Sequence, residues 1–460
     1  MPPQSPSLFR QAFRGLAAAS SGDLLVKLAG FFSTAVILHH LVPYDYGLWQ
    51  LLLSAVTAFG TPIFPSIAGM LVADASREIG MGGRGIANGI LLRGSICFAG
   101  LGTLAAVAMF IAAPIVTRAT GFQITFLLRL LATTLFETGV AQAYSLVLQT
   151  RLEFVHGQVM KVLTRVSYLA GIAFFVAFLH EGLSGVVYAY VLCSFLPTVL
   201  YTPYLIKLYV GMLKDLGKET WSDFFRIIMH RGPGLFGSDI VNALTGTLSP
   251  WIIGYYLGVT ELGIVSIALL FISQVSAFVP VSYVLRSILP RTVHEPGRMH
   301  YWLMRSMKYS LWAHIVLGIS AIIALLVIAP LYFPNYVAAI PLCIVLSVTL
   351  IFRALGLVAI EWFYATRRQK DLFIASSVPG VVMLALLVPM LGLFGLAGYI
   401  ANNILSSDIL ILLRLRVIQR YENLTIHWSD FLTVDKQDWE FLARVYKGVL
   451  QRLVAFLPAR

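Results

Sequence analysis

Leu41-Val-Pro-Tyr-Asp-Tyr-Gly-Leu-Trp49 interrupts two long apolar runs, 22–41 and 46–67, and its reading decides the fold. About 20 mostly apolar residues suffice to cross a bilayer as a helix. The short polar break between the runs therefore predicts a hairpin at the membrane surface. The same rhythm continues along the chain, with candidate spans at 88–113, 123–148, 163–180, 185–208, 234–257, 262–285, 309–330, 339–364, 372–391 and 396–417. In lipid the backbone must satisfy its own hydrogen bonds, so such runs become helices. Composition agrees: 58% of the 460 residues are hydrophobic and 12% charged, against roughly 25% charged in soluble domains. The expected fold class is an all-α polytopic membrane protein of about 12 transmembrane helices.

The formal net charge of +12 is unevenly placed. Alternate loops hold Arg77 and Arg84, Arg151 and Lys161, Lys214 and Lys218, Arg291, Arg298 and Arg305, and Arg367, Arg368 and Lys370, with Arg10, Arg14 and Arg420 near the termini. The six intervening hairpins carry only Arg118. Positive residues stay on the cytoplasmic side, so both termini are expected there, and a membrane explains the charge without a nucleic-acid partner. The start, Met1-Pro2-Pro3 with Arg10 and Arg14, lacks a clear small-residue cleavage site and reads as the lead-in to an uncleaved first span. Cys97, Cys193 and Cys343 lie singly in apolar runs, which argues against a disulfide framework or redox motif. His39, His40, His180 and His314 have no Cys or acidic cluster beside them, so no metal and no cofactor is expected. Asn423-Leu-Thr425 matches a glycosylation sequon on the side where it carries no meaning.

The hairpin has a counterpart. Gly47 in Pro43-Tyr-Asp-Tyr-Gly47 corresponds to Gly263 in Val259-Thr-Glu-Leu-Gly263, an offset of 263 − 47 = 216. Ala113-Pro114 corresponds to Ala329-Pro330 (330 − 114 = 216), Arg129 to Arg353 (353 − 129 = 224), and Gly182 to Gly392 (392 − 182 = 210). Matches in one order at nearly one offset mark two six-helix lobes of like topology, an arrangement in which a transport path runs between the lobes. The lobes are expected at 1–208 and 234–420. A cytoplasmic amphipathic linker at 209–233 (Trp221, Phe224, Phe225, Ile227, Ile228) joins them, and an amphipathic cytoplasmic tail at 421–460 (Trp439, Phe441, Leu442, Val445, Leu450) follows.

These stretches resemble a known family. Leu41-Val-Pro-Tyr-Asp-Tyr-Gly, Ala329-Pro-Leu-Tyr-Phe-Pro-Asn-Tyr with Phe352-Arg-Ala, and Leu391-Gly-Leu-Phe-Gly-Leu-Ala-Gly-Tyr are similar to hairpin motifs of polysaccharide transporters. These include the O-antigen flippases of the multidrug/oligosaccharidyl-lipid/polysaccharide exporter superfamily. The resemblance runs over roughly 8–420. It implies a V-shaped bundle in a bacterial inner membrane that moves a polyprenyl-pyrophosphate-linked oligosaccharide between leaflets for lipopolysaccharide or related surface polysaccharide. Membrane lipids and a polysaccharide polymerase are the implied partners. The chain departs from the family at Ser249-Pro250, where the seventh span commonly carries an acid, and at Val259 and Leu262, where Pro and Tyr are usual.

Charges inside spans are costly and need a partner or water. Arg129, Arg353 and Lys27 are the candidate cationic cavity for pyrophosphate, arginine being suited to forked phosphate contacts. The plainer alternative is inter-helix ion pairing, including Lys27 with Asp23 four residues earlier. Glu137 and Glu361 follow the two arginines at i+8, about 12 Å along a helix, too far to pair within it. With Asp239 they are candidates for ion coupling or charge compensation, and Arg165 and Arg286 for an inner mouth or positive-inside anchors. Pro62, Pro65, Pro250 and Pro280 should kink their helices. There is no phosphate-binding glycine loop and no nucleophile elbow, and no outer loop is long enough to house an external active site. An enzyme of glycan assembly is therefore not expected. A multidrug or metabolite antiporter of the same superfamily is the alternative transporter, and a cavity rich in acid would favour it.

Overall fold

The computed structural model describes residues 22, 25–61, 65–217, 221–231, 233–279, 285, 289, 296–366, 368–422, 429–435 and 438–439. Asp23, Arg286, Pro62, Pro280, Arg10, Arg14, the sequon and most of the expected tail helix lie outside them. Among the described residues every regular element is helical. The helices are α1 (Leu25–His40), α2 (Pro43–Gly60), α3 (Pro65–Gly80), α4 (Arg84–Thr120), α5 (Thr125–Thr150) and α6 (Phe154–Ile172). α6 continues as the π-helical turn Ala173–Phe178, and α7 (Gly182–Lys214) follows. Next come α8 (Trp221–Arg231), α9 (Pro233–Leu257), α10 (Val259–Ala277), α11 (Pro296–Tyr332) and the 3-10 turn Pro334–Ala339. The last helices among the described residues with a full range are α12 (Ile340–Leu346), α13 (Thr349–Ala365), α14 (Gln369–Glu422) and the short α15 (Ser429–Leu432).

Six of these helices are long and apolar enough to cross a membrane alone, and the segment Pro334–Ala365, bent by 56°, makes a seventh. α14 is two passes. Gly395 turns the chain at φ 56°, a conformation other residues rarely adopt. The arms fold back so closely that a Cβ on Gly398 would overlap the Met390 carbonyl, and Asn402 Nδ2 donates to Met383 O at 2.9 Å. With α2 and α3 taken as one broken pass, the helices correspond to the twelve expected spans. α7 runs to Lys214, past the expected start of the linker, and α8 forms the linker's helix. On α8, Phe224 and Ile228 are buried while Trp221, Phe225 and Met229 are exposed.

The apolar core gives the lobes their arrangement. One large cluster holds residues of both lobes near the short hairpins, among them Leu41, Trp49, Leu131, Val265, Tyr336 and Tyr399. At the opposite end, where the longer loops lie, the core divides. Ile67, Leu91, Leu146 and Phe224 belong to a first-lobe cluster, and Leu303, Leu355, Trp362 and Ile418 to a second-lobe cluster. The molecule is a V, joined at its hairpin end and split at its loop end. The joint is made by the two glycines of the repeat, which sit where α2 packs against α10. A Cβ on Gly47 would overlap the Val259 carbonyl oxygen, and one on Gly263 the Pro43 carbonyl oxygen. Each glycine thus receives the residue four positions before the other. Tyr336 OH donates to Leu41 O at 2.9 Å, and the His39 ring meets Tyr332 O at 3.0 Å.

Beyond the last span the chain returns to the second lobe. Phe431 is buried, with its carbonyl accepting from Trp312 Nε1 at 3.0 Å. Fully buried Asp438 takes Arg305 Nη1 at 2.8 Å, Tyr309 OH at 2.9 Å and Lys308 Nζ. Burial alone raises the Asp438 pKa, but hydrogen bonds from Lys308, the Asp435 backbone and Tyr309 outweigh it and bring the value down to about 2. A depressed carboxyl pKa contributes stability above its unfolded value, lost as pH falls through the folded one. The attachment should therefore hold down to about pH 4 and fail between about 4 and 2. Asp438→Ala strands Lys308, leaves Arg305 with Asp435 at 2.9 Å as its carboxylate, and should cost about 3–5 kcal/mol, seen as faster proteolytic clipping after Glu422. Clipping at the wild-type rate would show that the anchor contributes little.

Candidate functional site

The cleft of the V holds a cavity of about 600 Å³. Its walls come from α2, α9, α10, α13 and both arms of α14. Helical spacing turns polar and small residues into it. On the first arm of α14 these are Ser376, Pro379, Gly380 and Met383, and on the second Asn403, Ser406, Ser407 and Leu410, both sets at i, i+3, i+4, i+7. α9 contributes Thr245, Gly246, Ser249 and Pro250. The small side chains leave room, and Pro250 and Pro379 interrupt their helices' hydrogen bonding. Tyr46 and Gln50 are the first lobe's contribution.

Among the described residues Arg353 is the single charged side chain lining this cavity. Among the described residues no carboxylate lines the cavity or pairs with Arg353. The surrounding groups are hydroxyls and amides. Such a site can neutralise an anion and hydrogen-bond a hydroxylated ligand.

A second arginine lies one turn past Leu410. Arg414 is 7% exposed. Its Nη2 donates to Ser376 Oγ at 3.0 Å and its Nη1 to Gly356 O at 3.4 Å, while its buried Nε has no partner. Because Ser376 lines the cavity, Arg414 bears on it through that hydroxyl. Arg414 is not among the residues expected from the sequence, where Leu413-Arg-Leu-Arg416 near the end of a span has the pattern of a positive anchor. The usable signal is the series 403, 407, 410, 414, which continues the cavity-facing stripe.

The first lobe has its own cavity of about 350 Å³. Glu137, Lys161, Thr164, Arg165, Tyr168 and Tyr190 line it, and Thr198 Oγ1 donates to Glu137 Oε1 at 2.8 Å. Of the other expected site residues, Lys27 donates to Ala277 O at 2.6 Å, joining α1 to the end of α10. Arg129 is exposed on α5 with its guanidinium 4.9 Å from the Phe110 ring, outside both cavities. Glu361 is buried and Asp239 half-buried on α9, and both are engaged in other interactions. Arg129 and Arg353 thus do not share a cavity. Lys161 and Arg165 instead join Glu137 in the first lobe.

Residues 96–324 match a family of polysaccharide biosynthesis proteins. No curated protein sequence matches the chain. Solved structures match over most of its length. An inward-facing multidrug resistance MATE transporter of the MOP superfamily has a TM-score of 0.70 at 14% identity, covering 89% of this chain and 99% of its own. The outward-facing form of such a transporter scores 0.61 at 13% identity, with 89% and 96% covered. The lipid II flippase MurJ in an inward closed conformation scores 0.63 at 15% identity, with 94% and 97% covered. The resemblance read from the hairpin motifs is borne out: this is a multi-pass membrane protein that shares the fold of these solved MATE and MurJ transporters, and its residues 96–324 match the polysaccharide biosynthesis protein family.

Proposed function

We propose that the chain is a flippase for a polyprenyl-pyrophosphate-linked oligosaccharide. It works by alternating access in a bacterial inner membrane, with both termini cytoplasmic, and serves synthesis of O-antigen or another surface polysaccharide. The carrying observation is the central cavity, where among the described residues Arg353 is the one charge and the other polar groups are hydroxyls and amides. An unpaired guanidinium suits a pyrophosphate, and the hydroxyl-lined walls suit a sugar. A cationic drug would need a carboxylate there, which weighs against the antiporter alternative. In this reading Glu137 carries the coupling ion or compensates charge in the first lobe, and Lys27 steadies α1 against α10. Arg165 lies at the mouth of the first-lobe cavity, and a polymerase receives the product. No catalytic step on the ligand is assigned to any residue.

Deleting the gene tests the reading. The expected result is a lipid-linked oligosaccharide accumulating on the cytoplasmic leaflet with surface polysaccharide reduced, restored by the wild-type chain. Unchanged polysaccharide together with altered drug susceptibility would establish the antiporter instead.

A further inference from the structure

A third cavity, of about 140 Å³, differs in character from the other two. It lies between the lobes near the hairpin end, with Phe31, Ala35 and Leu38 of α1 on one side and Phe271 of α10 and Leu325 of α11 on the other. The hydroxyls at its wall are already committed. Thr34 Oγ1 donates to Gly30 O at 3.0 Å and Tyr336 OH to Leu41 O. Phe31 is 49% exposed, so the crevice reaches the outer surface of the bundle. Its inner wall is Leu270, which also lines the Arg353 cavity. A charged cavity and a mostly apolar crevice, with Gln274 as its one amide among the described residues, therefore meet across Leu270.

We infer that this crevice between α1, α10 and α11 holds the first part of the isoprenoid chain of the same ligand whose pyrophosphate lies at Arg353. The inference rests on the function proposed above and adds a tail site to it. The ligand is an amphiphile with its charge at one end, and the two cavities reproduce that division in order. An ordinary phospholipid acyl chain is the competing occupant, but it gains nothing from continuity with Arg353.

The test uses the full chain in nanodiscs of defined phospholipid, with inorganic pyrophosphate and prenyl pyrophosphates of increasing length as probes. A photoreactive phospholipid reports the competing occupant. Affinity should rise about tenfold or more from pyrophosphate to the longer prenyl chains, as expected for burying a few methylene equivalents. Ala35→Trp, which fills the crevice, should abolish that gain and leave pyrophosphate binding unchanged. Long prenyl pyrophosphates should also displace the photoreactive phospholipid from Phe31 and Phe271. Chain-length-independent binding insensitive to Ala35→Trp, or phospholipid labelling that no prenyl pyrophosphate displaces, overturns the tail site while leaving the head-group reading intact. Pyrophosphate binding that is absent, or indifferent to Arg353→Ala, removes the head-group reading and the tail site with it.

Discussion

Gly47→Ala and Gly263→Ala should each open the hairpin end of the molecule and abolish most transport. The added methyl has nowhere to go, because each would overlap a backbone carbonyl of the other lobe, Val259 or Pro43, rather than a side chain that can turn away. Overpacking a close contact costs about 1–3 kcal/mol. Here the strain is relieved by parting the lobes, so the cost falls on the closed state and shifts the closed-to-open ratio by about tenfold or more. Alternating access needs both states, and a lobe pair that cannot close at one end fails. The two substitutions share one contact, the Gly263 Cβ position being 3.2 Å from the Gly47 nitrogen, so their effects should not add. The measurement is labelling of Ser266→Cys in the central cavity by a membrane-impermeant thiol reagent applied from the hairpin side, with Cys97, Cys193 and Cys343 replaced. Labelling should be slow in the parent and fast in both glycine variants. Equal labelling and normal export would show that the joint is not a gate.

That joint was legible in the sequence. Gly47 and Gly263 stand 216 residues apart in matching hairpins, and the fold brings them together because duplicated lobes meet about a common axis. The helical passes were equally legible, since lipid leaves the backbone no alternative to helices. Arg129 and Arg353 were the misleading pair. Their offset of 224 departs from 216 because they are not counterparts: α5 and α12 start 340 − 125 = 215 residues apart, and the two arginines stand at different distances from those starts. Arg129 is the fifth residue of α5, whereas Arg353 lies 353 − 340 = 13 residues past the start of α12 and beyond the bend. By depth the counterpart of Arg353 is Glu137, 137 − 125 = 12 residues past the start of α5. At that depth the first lobe presents a carboxylate to its cavity and the second lobe a guanidinium. The offset of 353 − 137 = 216 carries this pairing, but two residues of opposite charge share no chemical likeness by which a repeat is recognised.

Arg353→Ala should reduce export of surface polysaccharide by about one to two orders of magnitude, the loss expected when a charge-assisted contact worth about 1.5–3 kcal/mol is removed. Arg353→Lys should recover part of it, since lysine keeps the charge but not the fork. Arg353→Glu should abolish export, because the charge at that position would then repel the ligand. None of these should lower protein abundance. Arg353 has no carboxylate partner among the described residues, so its removal leaves no buried charge stranded. Arg414 is the contrast. It is buried and bonded to Ser376 and Gly356, so Arg414→Ala opens a hole and orphans a hydroxyl, which should lower abundance as well as export. Arg129→Ala forfeits an exposed stacking contact worth about 0.5–1 kcal/mol and should change export least. A cation acting on the ligand thus shows itself by lost export at constant abundance. If Arg353→Ala exports normally, or fails only in proportion to lost protein, Arg353 is a packing residue and the anionic head group must be held elsewhere.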